Sequence, residues 1–152
     1  AKVGDAMPIT GPFGRFYLRK AERPIVMVAG GTGLAPMLSM LDHLKASGQT
    51  AHPIRLLYGA NRPEELFGLE QLEGFARDGL HIATELCVVE GNAGWRGATG
   101  HVTGLLRREI INGGDVDVYL CGPPPMIDAG TAWLKANGVD ERRIHVEKFL
   151  PS

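Results

Sequence analysis

A glycine-rich stretch, GGTGLAP, follows a short apolar run and carries the residues best suited to holding a phosphate group. Gly30, Gly31 and Gly33 have no side chains, so their backbone amides can approach a pyrophosphate closely. A helix that begins here would add unpaired N–H donors and the positive end of its dipole. No Lys-Ser or Lys-Thr pair follows, which excludes the phosphate loop of an ATPase. The stretch predicts either an anion-binding loop or a glycine turn without a ligand.

A proline stands where dinucleotide-binding loops of the GxGxxG type carry their third glycine. This residue, Pro36, is tolerated in the first turn of a helix, where its missing N–H has no intrahelical use and its fixed φ suits a helix start. The proline therefore does not exclude a nucleotide-binding loop.

A second stretch, YLCGPPPM, ends another apolar run and predicts a rigid wall beside the first loop. Cys121 and Gly122 close the run, and three consecutive prolines follow before Met126. Prolines fix φ and stiffen the chain. By itself the stretch could also be an unusual start of a helix.

The elements that must position these residues alternate along the chain. Short apolar runs rich in Val and Ile predict strands buried on both faces at residues 25–29, 54–58, 80–89, 116–121 and 144–149. Amphipathic stretches between them predict helices at residues 35–47, 64–77, 102–111 and 125–137. This order predicts an α/β fold with a five-stranded parallel, doubly wound, Rossmann-like sheet. Ligands bind such sheets at the carboxyl ends of the strands.

Residues 1–19 interrupt this alternation. Glycines and a proline punctuate short extended pieces there, and we expect the last strand of a preceding β-barrel, so that the chain would be a fragment of a longer protein. Residues 20–24 are expected to form a linker, and residues 25–152 the nucleotide-binding domain.

Composition excludes several partners. Lys and Arg total 16 against 17 Asp and Glu, and no basic block is present, which argues against nucleic acid or an anionic membrane as a partner. No apolar run approaches the roughly 18 residues that span a bilayer, so we expect a cytoplasmic protein. Cys87 and Cys121 lie far apart and form no CxxC pair, so the chain encodes neither a disulfide framework nor a metal site.

The three stretches GGTGLAP, YLCGPPPM and HVEKFLPS together resemble the pyridine-nucleotide domain of the ferredoxin-NADP reductase superfamily. The likeness is greatest to reductase components of multicomponent oxygenases, of the aromatic-ring dioxygenase or soluble di-iron monooxygenase type. It covers essentially the whole chain, and GPFGRFYLR resembles the last strand of the family's flavin-binding barrel.

The resemblance implies roles for individual residues. The loop of the family places its glycines on the pyrophosphate and its threonine against the nicotinamide, and the CG pair brings a thiol near the reacting carbon. The terminal acid and aromatic residue, here Glu147 and Phe149, would hold charge or protons near the flavin and cover its ring. The implied catalytic residues are Cys121, Glu147 and Phe149. The implied cofactor-binding residues are Gly31, Thr32, Gly33, Leu34, Pro36, Tyr58, Gly59, Glu90, Cys121, Gly122, Pro123, Pro124, Met126 and Phe149.

Charge near the second and third strand ends bears on the choice between NADH and NADPH. Glu90 follows the third strand, where NADP-using members of the family tend to have Ser-Arg. A carboxylate suits a ribose diol and repels a 2′-phosphate, which favours NADH. Arg62 is interpreted as a surface or adenine-edge residue, because the family's arginine stands one position earlier.

The resemblance implies an oxidoreductase that takes hydride from NADH to FAD and passes single electrons through a 2Fe-2S cluster to an oxygenase component. The FAD domain and the ferredoxin domain would be its intramolecular partners, and the isolated chain would be inactive. Two alternatives stay open, namely an ordinary NAD-dependent Rossmann dehydrogenase and a nucleotide-binding regulatory or interaction domain without redox activity.

Overall fold

The computed structural model describes residues 18–149, which form one sheet of six parallel strands. The strands are β1 (Ile25–Gly30), β2 (Ile54–Ala60), β3 (Ile82–Val88), β4 (Ala98–Thr99), β5 (Asp117–Gly122) and β6 (Ile144–Lys148), in the spatial order β4-β3-β2-β1-β5-β6. The predicted α/β class and parallel sheet are confirmed. The prediction of five strands omitted β4, because a two-residue edge strand leaves no apolar run. The barrel strand expected at residues 1–19 lies almost wholly outside the described residues.

Side chains alternate between the two faces of the sheet, and each face has its own core. Met27 and Tyr58 point to the face covered by helices α1 (Leu34–Ala46) and α2 (Leu69–Arg77). Val28 and Leu57 point to the other face, which helix α3 (Pro124–Ala136) covers together with the segment 102–114. Strands buried on both faces explain the continuous apolar runs in the sequence.

Helix α2 begins later than the predicted range 64–77. A single 3-10 turn spans Pro63–Glu65, and the α-helix starts only at Leu69. Gly68 separates them with a φ of 73°, in the left-handed region that an α-helix cannot include. The apolar spacing on which the prediction rested is real, but part of it belongs to an irregular segment.

The predicted helix at residues 102–111 is wrong. This segment instead forms consecutive 3-10 turns at Val102–Leu105, Arg108–Ile110 and Asn112–Gly114. Leu106 and Arg107 between the first two turns are extended, with ψ values of 132° and 159°, so no continuous helix can pass through them. Apolar residues still face the core at helix-like spacing, which is why the pattern resembled a helix.

The strand order reverses direction between β1 and β5, which are neighbours in the sheet although three strands separate them in the chain. The connections leave these two strands toward opposite faces, so a crevice opens between them at their carboxyl ends. No helix among residues 18–149 is both long and apolar enough to cross a membrane.

Candidate nucleotide-binding site

A cleft of about 580 Å³ opens at the carboxyl ends of the strands, where β1 and β5 diverge. Its lining comes from segments that are distant in the chain: Gly30, Gly31, Thr32, Gly59, Ala60, Asn61, Glu65, Val89, Gly100, His101, Val102, Thr103, Pro123, Pro125, Met126, Ala129 and Phe149. Its size suits a small-molecule ligand, since such pockets typically measure roughly 300–1,000 Å³.

The glycine loop turns sharply at the end of β1. Gly31 has a φ of 59°, which favours glycine, and Gly31–Gly33 form one 3-10 turn before α1 begins at Leu34. Gly33 is buried against β5, and a Cβ placed there would collide with the carbonyl oxygen of Cys121. The two terminal glycines of GTG therefore have different tasks. Gly31 shapes the loop at the cleft, whereas Gly33 allows the loop to sit on the neighbouring strand.

The start of α3 forms the wall of the cleft next to the glycine loop. Pro123 precedes the helix, Pro124 and Pro125 open it, and Met126 is the first residue in this run with a backbone N–H, which it donates to the carbonyl of Pro123. A Cβ on Gly30 would lie 2.6 Å from the Met126 sulfur, so the helix start packs directly on the glycine loop. The proline run thus lies beside the glycine loop, and it provides no N–H donors to a ligand.

Cys121 and Glu147 occupy paired positions on β5 and β6. Cys121 is fully buried, and burial with the adjacent Glu147 charge raises the pKa of its thiol to about 12. Burial also raises the pKa of Glu147. At neutral pH the thiol is therefore protonated and does not act as a thiolate nucleophile.

Phe149 follows β6 and reaches the cleft. Its backbone N–H donates to the carbonyl of Gly122 over 2.8 Å, which extends the β5–β6 pairing by one residue. Its ring is half-buried, lines the cleft and packs against the core on the α1 side.

Tyr58 and Gly59 end β2 with different orientations. Tyr58 is fully buried, and its hydroxyl accepts the backbone N–H of Phe67 at 3.0 Å, on the α1 side of the sheet. Gly59 lines the cleft, and a Cβ there would lie 2.7 Å from Cβ of Val102. Gly59 therefore permits the close approach of the segment 100–103 to the sheet edge.

Glu90 and Arg62 meet beyond the ends of β3 and β2. Arg62 Nε lies 3.4 Å from a Glu90 carboxylate oxygen, and both side chains are largely exposed. The two loops are also joined by a backbone hydrogen bond of 2.7 Å from the Glu90 N–H to the carbonyl of Asn61. This places a carboxylate and a guanidinium side by side at the rim of the cleft.

The model for the oxidoreductase NAD-binding domain matches residues 27–131, more than half of the chain. The chain belongs to this family. The toluate 1,2-dioxygenase electron transfer component of Pseudomonas putida is 40% identical over 152 residues, which are 100% of this chain and 45% of that protein. The propane 2-monooxygenase reductase component of Rhodococcus jostii is 36% identical over 97% of this chain and 41% of its own length. The chain thus spans less than half the length of these relatives.

Solved structures agree with the fold of an NAD-binding domain. The flavohem-like FAD/NAD binding domain of nitric oxide dioxygenase from Vibrio cholerae has a TM-score of 0.77 and 29% identity, and the match covers 91% of this chain and 56% of that one.

The structure brings some of the predicted site residues of this NAD-binding domain to the cleft and leaves others beneath or beside it. Those that line the cleft are Gly31, Thr32, Gly59, Pro123, Met126 and Phe149. Those that do not line it are Gly33, Leu34, Pro36, Tyr58, Glu90, Cys121, Gly122, Pro124 and Glu147. Pro36 lies in the first turn of α1, as expected for a proline at a helix start.

Sequence reasoning missed one wall of the cleft. The segment 100–103 follows β4 directly, and all four of its residues line the cleft. Because β4 was not predicted, nothing in the sequence placed this segment at the carboxyl edge of the sheet. The two glycines of GATGH were the available signal for a turn here, and Gly100 indeed has a φ of 117°, which favours glycine.

Proposed function

We propose that this chain is the NADH-binding domain of an electron-transfer reductase that supplies an oxygenase component. The observation that carries the proposal is the cleft at the β1–β5 switch point, with the glycine loop on one wall and Phe149 at the other end. The names of the relatives support the reductase role, because they are electron transfer or reductase components of dioxygenases and monooxygenases.

The cleft fits an extended dinucleotide. Its hydrogen-bond donors to phosphate come from the glycine loop and the first turn of α1, since the prolines of α3 provide none. In the proposed complex, Gly31 contacts the pyrophosphate and Thr32 lies against the nicotinamide. Pro123 and Met126 then confine the ligand from the adjoining wall.

The nicotinamide end would lie toward Phe149, close to the buried Cys121 and the partly buried Glu147. The Cys121 thiol is uncharged at neutral pH, because burial and the neighbouring Glu147 carboxylate raise its pKa to about 12. Phe149 would leave its position over the cleft when a nicotinamide ring enters. The contribution of the chain is then orientation of the reacting carbon, not acid or base catalysis.

The flavin and the iron–sulfur centre belong to other parts of the proposed reductase. FAD supplies the conversion of a two-electron hydride into single electrons when it is bound. Phe149 is the described residue that would touch it. A 2Fe-2S cluster needs four ligands, whereas this chain has 2 cysteines, on β3 and β5, so its residues do not fit the cluster. The FAD domain and a ferredoxin domain are therefore proposed as partners.

We propose NADH as the substrate in preference to NADPH. Glu90 stands at the rim beyond β3, where a carboxylate repels a 2′-phosphate and can accept hydrogen bonds from a ribose diol. Arg62 does not oppose this preference, since its guanidinium is already paired with Glu90.

The full-length protein tests the proposal when it is compared with the 152-residue chain. The expected result is a visible spectrum with flavin and iron–sulfur bands, and NADH-dependent reduction of ferricyanide by the full-length protein only. A colourless full-length protein would favour an ordinary dehydrogenase or a non-redox nucleotide-binding domain. Ferricyanide reduction by the isolated chain would contradict the proposal that the flavin and the iron–sulfur centre belong to other domains.

A further inference from the structure

The cleft contains little positive charge for a ligand that carries a pyrophosphate. Among the described residues that line it, only Glu65 and His101 have side chains that ionise, and there is no lysine or arginine. A dinucleotide brings two negative charges into this space. Backbone amides of the glycine loop can donate hydrogen bonds to them, but one carboxylate already faces the same cleft.

The other polar groups at or near the cleft are either negatively charged or already paired. A carboxylate oxygen of Glu65 accepts the backbone N–H groups of Asn61 and Arg62 at 3.1 and 3.3 Å, so Glu65 holds the loop after β2. The Arg62 side chain is paired with Glu90. At the start of α3 the prolines have no N–H, and the Met126 N–H is bonded to the carbonyl of Pro123. His101 is thus the remaining side chain at the cleft that can carry a positive charge.

The backbone around His101 is fixed while its side chain is free. The preceding Gly100 donates its N–H to the carbonyl of Val88 at 2.8 Å, and the following Val102 is buried against Gly59. His101 is exposed at the cleft, and within residues 18–149 its imidazole has no hydrogen-bond or ion-pair partner. A side chain whose backbone is fixed and whose polar atoms have no protein partner can bind a ligand with little rearrangement.

We propose that His101 binds the pyrophosphate of the dinucleotide, donating a hydrogen bond from its protonated imidazole across the cleft from the glycine loop. The inference rests on the proposed function, because it takes NADH as the ligand of this cleft. The segment 100–103 would then take part in phosphate binding. Neither the glycine motif nor the proline run indicates this role.

The assignment makes dinucleotide affinity depend on pH. Histidine is the side chain that ordinarily changes its charge between about pH 5 and 8, whereas carboxylates and arginines keep theirs in that range. The charged group that lines the cleft from a neighbouring element is Glu65 after β2, and the Arg62–Glu90 pair lies beside the lining residues Asn61 and Val89. Binding should therefore tighten from pH 8 to pH 6 through His101.

Calorimetric titration of the 152-residue chain with ADP-ribose at pH 6 and pH 8 tests the inference, with adenosine as a ligand that lacks the pyrophosphate. The wild type should bind ADP-ribose about 5-fold more tightly at pH 6, as expected for gain of one partly exposed charge-assisted hydrogen bond. His101→Asn should lose this gain and match the wild type at pH 8. His101→Lys should bind tightly at both pH values.

His81→Asn is the matched control, since His81 is also exposed but precedes β3 at the opposite edge of the sheet, and it should behave as the wild type. Wild-type pH dependence retained in His101→Asn would overturn the inference and leave the proposed function standing. An equal loss of adenosine affinity would overturn the assignment to the pyrophosphate. Failure of the wild type to bind ADP-ribose would overturn both the inference and the proposed function.

Discussion

At the scale of single residues, the glycines of the loop serve two different roles, which are approach to a ligand at Gly31 and packing against β5 at Gly33. The spacing GxG predicted close approach to a phosphate, and Gly31 at the cleft fits that expectation. Gly33 instead packs on the Cys121 carbonyl. No pattern within the loop could reveal this contact, because its partner lies on β5, far along the chain. The sequence therefore identified the loop, but not which of its glycines serves packing.

The substitution Gly33→Ala should destabilise the fold by ~3 kcal/mol, because its Cβ would meet a backbone carbonyl that cannot move aside. Gly104→Ala is the matched control, since a Cβ there has nothing within 4 Å. Urea unfolding followed by circular dichroism measures both effects. Equal stabilities for the two variants would show that the loop can shift to accept a side chain.

Glu90→Gln should reduce the preference for NADH over NADPH about 10-fold at low ionic strength. The change removes a negative charge from the rim and releases Arg62 to pair with a 2′-phosphate. The ratio of the two dissociation constants, obtained from fluorescence titration, measures the change. The double variant Arg62→Ala/Glu90→Gln should show only part of this reduction, because it lacks the guanidinium that could pair with a 2′-phosphate. An unchanged ratio in Glu90→Gln would argue against a role for this carboxylate.

At the scale of elements, the buried strands were predictable and the irregular wall was not. Strands β1, β2 and β5 are covered on both faces, so each leaves a continuous apolar run in the sequence. The segment 102–114 buries apolar residues at helical spacing, yet its backbone turns extended at Leu106 and Arg107. Side-chain periodicity reports burial and not hydrogen bonding, which explains the error over this segment.

The β5–β6 pair predicts a loss of stability in acid. His145 lies over the ring of Tyr119 with centroids 4.9 Å apart, and burial, helped by Arg19, lowers its pKa to about 4 despite the nearby Asp117. The imidazole is therefore neutral at pH 7, and its 3.9 Å approach to Asp117 is not an ion pair there. Because an unfolded chain protonates its histidines near pH 6.5, acidification between about pH 6.5 and 4 favours unfolding.

His145→Gln should accordingly lose ~2 kcal/mol less stability than the wild type between pH 7 and pH 4. Unfolding by urea at the two pH values measures this difference, and His81→Gln serves as the exposed control. An identical acid loss in His145→Gln and the wild type would assign the effect to other groups.

At the scale of the whole molecule, the sheet gathers six distant parts of the chain at one edge, namely residues 30–32, 59–65, 89, 100–103, 123–129 and 149. The alternation of strands and helices was sufficient to predict that edge, and the motifs placed the glycine loop and the α3 start on it. The depth of Cys121 and the contribution of residues 100–103 were not predictable, because both depend on how the β5 and β4 neighbours pack. The sequence thus locates the site, and the packing decides which side chains reach it.

Titration of the 152-residue chain with NADH, followed by amide chemical shifts in heteronuclear NMR spectra, tests most directly whether the dinucleotide binds in this cleft. Binding in the cleft predicts shifts at Gly31–Gly33, at residues 100–103 and at Phe149, with the strand beginnings at Ile25, Ile54 and Ile82 unchanged. Shifts confined to the strand beginnings, or no saturable shifts at all, would contradict the account of this domain as an NADH-binding domain.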